Sequence, residues 1–302
     1  MNWNKFLIER ANNDLNNYTD YDTIIQNEKH LIVNIKDGKI KYKKLFFDKF
    51  NIFTPREKFI EKIFSKIDLS DIQDCVVPIN MYDSYEWNSK NFSFVWARPY
   101  NKPGLLFPYL AFDDWESTVK KFDNNYIPFE KRLDGPYFYG QDSTSNRSNI
   151  RDLLQKLYPE NITLNNPIIQ PVTDLMKYKI VYDIPGARPW SVRSAFIGLS
   201  GSVSLRIIQY NPVWNEKTWI QFYEDINDIT GIEIQNNYDK PLSNEIIKNL
   251  KPTIDKVIQM SLKEEAEETA NMIRQKMKKL KTDHILNYIK YIVNYIGKKQ
   301  SF

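Results

Sequence analysis

The chain of 302 residues contains one cysteine, two histidines and nine glycines. Because Cys75 is alone, an intrachain disulfide and a cysteine-based zinc site are excluded. His30 and His284 lie far apart in the sequence, so a Ser-His-Asp triad or a histidine-rich metal centre would have to be built around one of them. The glycines form neither GxxxxGK[ST] nor GxGxxG, the two common phosphate-cradling patterns. Any catalysis is therefore expected from carboxylates, arginines and hydroxyls.

Long apolar runs are also missing. The best run, around Ile285–Ile296, is interrupted by Asn287 and Lys290, whereas a helix needs about 18 apolar residues to cross a bilayer. The first residues, MNWNKFLIERANNDLNN, lack the basic segment and apolar core of a secretory signal. These absences predict a soluble, cytoplasmic protein with no membrane span.

The charge of the chain is close to balanced. Lysine plus arginine exceed aspartate plus glutamate by 42 to 38, which gives a formal charge of +4. An excess this small predicts no nucleic-acid partner. The basic stretch Gln275–Lys281 fits either a solvated helix face or a contact with anionic membranes or nucleic acid, and the solvated face is the simpler interpretation.

The first part of the chain mixes helices and strands. A short helix is predicted over residues 1–20, and two alternating segments, His30–Ile35 and Lys39–Leu45, flank the hairpin signal Asp37-Gly38. Thr54 precedes a proline and a helical pattern, which predicts that the threonine caps a helix. Asp74–Asn80 is an apolar run that opens into a polar loop, as a buried strand followed by a functional loop would.

The second part alternates strand, helix and strand. Pro136–Tyr139 precedes a polar loop and a helical pattern, and Lys177–Asp183 precedes a second helix, which Gly201 ends before a further strand. This alternation predicts a parallel sheet covered by helices, an α/β domain. From Ser243 onward the pattern is helical.

We therefore predict two α/β domains that face a cleft. The first comprises residues 1–125, completed by a C-terminal helix over 275–302, and the second comprises residues 126–274. In open α/β sheets ligands bind beyond the carboxyl ends of the strands.

Three loops carry residues suited to chemistry. Asp83 follows the strand at Asp74–Asn80, where a carboxylate is suited to act as a general base or to cap a local turn. The loop 140–147 places hydroxyls and Arg147 at a predicted helix start, which favours an anion or forms an ordinary capped turn. Arg193 lies in the first turn of a helix, against the helix dipole, so it requires either an anionic ligand or an acidic neighbour.

The segments containing these loops resemble glycosyltransferase family 90, the protein O-glucosyltransferases and cryptococcal capsule-associated proteins. In YKIVYDIPGARPWSVRSAFIGLSGSVSL, the residues that match the family signature are Trp190, Ser191, Arg193, Gly201 and Ser202. In YFYGQDSTSNR, the residues that match its upstream loop are Phe138, Gly140, Ser143, Thr144 and Arg147. DIQDCVVPINMYDSY is similar to the segment with the family's catalytic aspartate and aligns Asp83 with it, and FSFVW is similar to the strand after it. The similar segments span roughly Lys29 to Ile234.

The resemblance implies a GT-B fold, with two Rossmann-like domains facing a cleft and a helical C-terminal tail. It implies an inverting transfer of a sugar, glucose or xylose, from a UDP-sugar to a hydroxyl of a glycan or protein acceptor, without a metal or other cofactor. Asp83 would be the catalytic base. Nine of the matching residues would bind the donor: Gly140, Ser143, Thr144, Arg147, Trp190, Ser191, Arg193, Gly201 and Ser202.

Departures from the family pattern keep a second hypothesis open. Tyr139 and Asp142 stand where the family has arginines, which removes two positive charges from the expected nucleotide pocket. The alternative is a non-catalytic relative that binds a nucleotide sugar or a glycan. Aromatic residues of the first domain would serve either function as sugar-stacking platforms, or would simply be packing residues: Tyr82, Tyr85, Trp87, Trp96, Tyr100 and Tyr109.

Overall fold

The structure is a computed structural model. It describes residues 1–22, 28–46, 48, 51, 53–82, 92–99, 102, 104–138, 140, 145–159, 172–184, 193–210, 219–224, 231–235 and 244–300. By its internal contacts the chain divides into two units. Unit 1 comprises Met1–Trp115, Ile220–Tyr223 and Leu280–Phe302, and unit 2 comprises Glu116–Trp219 and Glu224–Lys279.

The described part of the chain is a mixed α/β protein. Up to residue 124 its elements are α1 (Trp3–Leu15), β1 (His30–Lys36), β2 (Lys39–Lys44), α2 (Thr54–Ser65), β3 (Cys75–Asn80), β4 (Phe94–Val95), β5 (Arg98–Pro99), β6 (Leu105–Leu106) and α3 (Trp115–Asn124). The later elements are β7 (Leu133–Phe138), α4 (Ser145–Leu157), β8 (Tyr178–Asp183), α5 (Arg193–Ser200), β9 (Val203–Tyr210), β10 (Trp219–Ile220), β11 (Gly231–Gln235), α6 (Asn244–Ser261), α7 (Glu264–Lys279) and α8 (Thr282–Lys299).

Unit 1 is built on a mixed sheet with the strand order β2-β1-β3-β4-β6. β1 pairs antiparallel with β2 and β3, whereas β3, β4 and β6 run parallel. The predicted hairpin is confirmed, because Asp37 and Gly38 both adopt positive φ, 52° and 66°, as a two-residue turn between twisted strands requires. α8 packs against α1 and β3.

The prediction that Thr54 caps α2 is wrong. The helix begins at Thr54, and the residue before it, Phe53, makes no side-chain capping bond. Instead Asp48 Oδ2 accepts hydrogen bonds from the amides of Phe53 and Thr54, at 2.8 and 3.1 Å. The carboxylate of Asp48, outside the helix, thus accepts from amides at the start of α2, the role that a cap side chain usually has.

Unit 2 is built on a parallel sheet with the order β11-β9-β8-β7. The parallel sheet predicted for this half is therefore confirmed. Its buried core brings together β7, β8 and β9 with α4 and α6 through Phe138, Leu154, Ile180, Tyr182, Leu205 and Ile254. α5 packs against α7 and β9. Throughout the described ranges, the helices fall short of the length and apolar character that a bilayer span requires.

Candidate functional site

The carboxyl edge of the parallel sheet in unit 2 brings two of the predicted site residues into contact. β7 and β8 are parallel neighbours in which Phe138 pairs with Tyr182, so the two strands end side by side. Gly140 comes just after β7, and Arg193 begins α5 after β8. A Cβ atom added at Gly140 would lie 2.5 Å from Arg193 Nη1 and 2.9 Å from its Cζ. Position 140 therefore has room for glycine only, as long as Arg193 keeps its place.

Arg193 is held firmly at this edge. Its side chain is buried, with 6% of the residue exposed. Nη2 donates a hydrogen bond to the carbonyl oxygen of Ile184 at 3.0 Å, and the guanidinium carbon lies 4.8 Å from the centre of the Phe138 ring. A guanidinium that is stacked and bonded in this way is preorganised, and burial strengthens its interaction with an anion.

Beside Arg193 lies a buried network of ionic side chains that the sequence reasoning missed. Asp183 Oδ2 accepts hydrogen bonds from Ser194 Oγ at 2.6 Å and from Arg206 Nε at 3.0 Å. Arg206 also forms an ion pair with Glu224. Asp183 and Glu224 are both buried. The network fixes the first turn of α5 to β8 and β9.

One oxygen of this network is unsatisfied. Asp183 Oδ1 is buried and makes no hydrogen bond with the described residues. The sequence does contain a signal for Asp183. This aspartate is the last residue of an apolar strand, and Asp83 likewise comes soon after one. That signal identifies a carboxylate at a strand end, and Arg206 and Glu224 carry no comparable mark.

Gly201 and Ser202 lie at the opposite edge of the same sheet. They connect the end of α5 to the start of β9, and α5 alone spans about 12 Å. Gly201 has φ +68°, and its carbonyl oxygen accepts a hydrogen bond from Arg132 Nη1 at 2.9 Å. Ser202 Oγ lies 2.8 Å from the carbonyl oxygen of Tyr178, where β8 begins. The structure thus does not bring these two residues together with Gly140 and Arg193.

The remaining predicted residues are described only in part. Asp83, Ser143, Thr144, Trp190 and Ser191 lie outside the described residues. Arg147 lies in the first turn of α4, as predicted, and its backbone alone is described.

The strand that leads to Asp83 is well defined in unit 1. β3 is buried along most of its length and ends at Asn80, whose Oδ1 accepts a hydrogen bond from the amide of Tyr82 at 2.9 Å. Arg56 donates to the carbonyl oxygen of Met81 at 2.5 Å and to the hydroxyl of Tyr109 at 3.1 Å. A buried arginine therefore fixes the chain two residues before Asp83, a contact that the sequence did not predict.

Three members of the predicted aromatic set take part in packing. Tyr82 packs against Phe53, with ring centres 4.6 Å apart. Trp96 has 1% of its surface exposed, so it is a core residue and not a platform for a sugar ring. Tyr109 packs edge-on against it, with ring centres 5.5 Å apart. Tyr85, Trp87 and Tyr100 lie outside the described residues.

Comparison with models of protein families and with curated proteins found no match for this chain.

Proposed function

We propose that the chain is an inverting, metal-independent glycosyltransferase that moves a sugar from a UDP-sugar to an acceptor hydroxyl. The single observation that supports this proposal most is the contact between Gly140 and Arg193. These residues belong to two separate segments, and each segment independently resembles a donor-binding motif. A donor site requires the two motifs to converge at the carboxyl edge of a parallel sheet, where such sheets bind ligands.

The proposed reaction uses the residue types available. Asp83 removes the proton of the acceptor hydroxyl while that oxygen forms a bond to the anomeric carbon. The bond from this carbon to the diphosphate breaks, and UDP leaves with its electron pair. Arg193, with Arg147 and Ser191, stabilises the negative charge that develops on the diphosphate. The acceptor oxygen attacks the anomeric carbon from the side opposite the departing UDP, so the configuration at that carbon is inverted.

Nucleotide binding is the first experiment. UDP is titrated into the protein, and its affinity is measured by calorimetry for the wild type and for Arg193→Lys. A lysine retains the charge and loses the planar fork, so we expect the affinity for UDP to fall by about tenfold or more. Arg132→Lys is the matched control. Arg132 is also buried in unit 2, but it bonds to Gly201 at the edge of the sheet opposite Arg193. Equal effects of the two substitutions, or no binding of UDP, would contradict the proposed donor site.

Turnover is the second experiment. UDP-glucose, UDP-xylose, UDP-galactose and UDP-GlcNAc are each incubated with the protein, and released UDP is measured with and without EDTA. We expect slow donor hydrolysis that EDTA leaves unchanged, and a loss on the order of 100-fold or more in Asp83→Asn. UDP binding without any turnover would instead identify a non-catalytic nucleotide-sugar-binding protein, the alternative that the missing arginines at 139 and 142 suggest.

A further inference from the structure

The edge strand of the unit 1 sheet, β2, carries three of its four lysines on one face. Lys39, Lys41 and Lys43, here called the lysine row, alternate along β2 and are all exposed. In the register of the hairpin, Lys39 faces Lys36 of β1, which is also exposed. Within the described part of the chain, none of these four lysines forms a salt bridge. The charges of the lysine row are therefore exposed and available to a partner outside the chain.

The other face of β2 is different. There Lys44 forms a salt bridge with Glu57 of α2, with Nζ and Oε1 2.5 Å apart. Tyr42 is half-buried on this face, and burial together with Glu61 raises the pKa of its hydroxyl to about 12. Lysines on an edge strand discourage pairing with other strands, so this edge favours a strand whose negative charges lie opposite the lysine row. The lysine row is thus the part of the strand left for an external anion.

The backbone of β2 is also open on its outer side. The amide of Leu45 donates to the carbonyl oxygen of His30 at 3.0 Å, and hydrogen-bonded and non-bonded pairs alternate along an antiparallel ladder. The amides and carbonyls of Ile40 and Tyr42 therefore point away from β1. Among the described strands, only β1 pairs with β2, so a row of donors and acceptors lies next to the lysine row.

We propose that β2 docks an extended peptide with acidic residues at alternate positions, as an added antiparallel strand. The peptide backbone would bond to Ile40 and Tyr42, so each acidic residue would stand opposite a lysine in a non-hydrogen-bonded pair. Such pairs bring Cα atoms to about 4.5 Å. The lysines repeat at about 6.8 Å, the spacing of alternate residues in a strand. A second copy of this chain is a poor occupant, because its own β2 would place lysine against lysine.

Binding is tested with a fluorescein-labelled peptide in which glutamate alternates with valine. Fluorescence anisotropy is measured at low salt with the full chain. We expect the triple variant Lys39→Gln, Lys41→Gln, Lys43→Gln to weaken binding by about tenfold or more, given three ion pairs and their salt dependence. The matched control replaces three exposed lysines elsewhere by glutamine, Lys58, Lys66 and Lys121, which changes the net charge equally. This control should bind like the wild type.

Three further probes distinguish the docked strand from general attraction to negative charge. A peptide of the same composition with its glutamates in one block should bind at least about tenfold more weakly. N-methylation of the peptide amides that face β2 should abolish binding, whereas methylation of the other amides should not. Equal binding of the block peptide, or tighter binding of a thymidine oligonucleotide or phosphatidylserine vesicles, would overturn the proposal. The readout is binding, so its result stands apart from that of the proposed transferase.

Discussion

At the scale of single residues, position 140 of the candidate site has no space for any side chain. A Cβ at this position would overlap the guanidinium of Arg193, which is bonded to Ile184 and stacked on Phe138. We expect Gly140→Ala to displace the guanidinium and to lower the free energy of unfolding by about 1–3 kcal/mol. Urea unfolding measures the stability, and UDP titration tests whether the proposed donor site loses affinity with it.

A double-mutant cycle tests the cause of this effect. If the overlap with Arg193 is responsible, Gly140→Ala should lower stability much less in an Arg193→Ala background. A small effect would remain, because the same Cβ lies 3.0 Å from Cζ of Phe138. Additive losses in the double variant would show that Arg193 is not what excludes a side chain at position 140.

Asp14 in unit 1 is predicted to make stability depend on pH. Burial raises the pKa of its carboxyl from the ordinary 3.8 to about 6, although Arg98 and Arg10 oppose the shift. Arg98 bonds to Oδ1 at 2.8 Å, and Oδ2 is buried without a partner among the described residues. The folded protein therefore binds the proton more tightly than the unfolded chain. Stability should fall as pH rises from about 4 to about 6, by roughly 3 kcal/mol, and this contribution should be level above pH 6.

The measurement is urea unfolding at pH steps from 4 to 7.5 for the wild type and Asp14→Asn. The asparagine does not titrate, so the wild type should lose stability relative to the variant across this window. Glu28→Gln removes an exposed carboxylate from the same unit and serves as the control. Parallel stability curves for the wild type and Asp14→Asn would show that the carboxyl of Asp14 titrates at the same pH in both states.

At the scale of elements, the β1–β2 hairpin depends on its left-handed turn. Nothing lies within 4 Å of a Cβ built on Gly38, but its φ is +66°. We therefore expect Gly38→Ala to destabilise unit 1 by backbone strain alone, by about 1 kcal/mol. Gly38→Asn should cost less, because asparagine tolerates this conformation, and Gly38→Val should cost more. Urea unfolding ranks the three variants, and a larger loss for asparagine than for valine would contradict the strain argument.

The elements that the sequence predicted are those with local signals. Asp37-Gly38 marks the hairpin, the glycine at 201 marks the end of α5, and apolar runs mark β3 and β8. The start of α2 was misassigned because its cap comes from Asp48, a contact between residues that no local pattern links. Arg206 and Glu224 were missed for the same reason. They meet Asp183 only once strands from distant segments pair.

Candidate-site residues follow the same division. Gly140 and Arg193 could be predicted, because a strand end and a helix start are visible in the sequence. Their contact could not, since it depends on β7 lying next to β8 in the sheet. Gly201 and Ser202 are close to Arg193 in the sequence. Helix α5 lies between them and Arg193, so in the fold they are at opposite edges of the sheet.

At the scale of the whole molecule, unit 1 is assembled from three stretches of chain. The last stretch contains α8, whose buried face consists of Ile285, Tyr288, Ile289, Ile292, Val293 and Ile296. Gln300, just after this helix, bonds through its side chain to both the amide and the carbonyl of Val76 in β3, at 2.7 and 3.0 Å. The sheet formed early in the sequence is therefore completed by the end of the described chain.

This arrangement predicts that a substitution in α8 weakens strands more than 200 residues earlier. Ile292 is fully buried, so Ile292→Ala should lower the free energy of unfolding by about 2–5 kcal/mol. Hydrogen exchange followed by mass spectrometry should show faster exchange in β1 and β3 as well as in α8, because the sheet and the helix share one core. Lys290→Ala is the control on the same helix. Its ion pairs with Asp68 and Asp71 are at the surface, so its removal should change stability by at most about 1 kcal/mol. Faster exchange confined to α8 in the Ile292 variant would mean that the helix opens independently, and that the early strands do not depend on it.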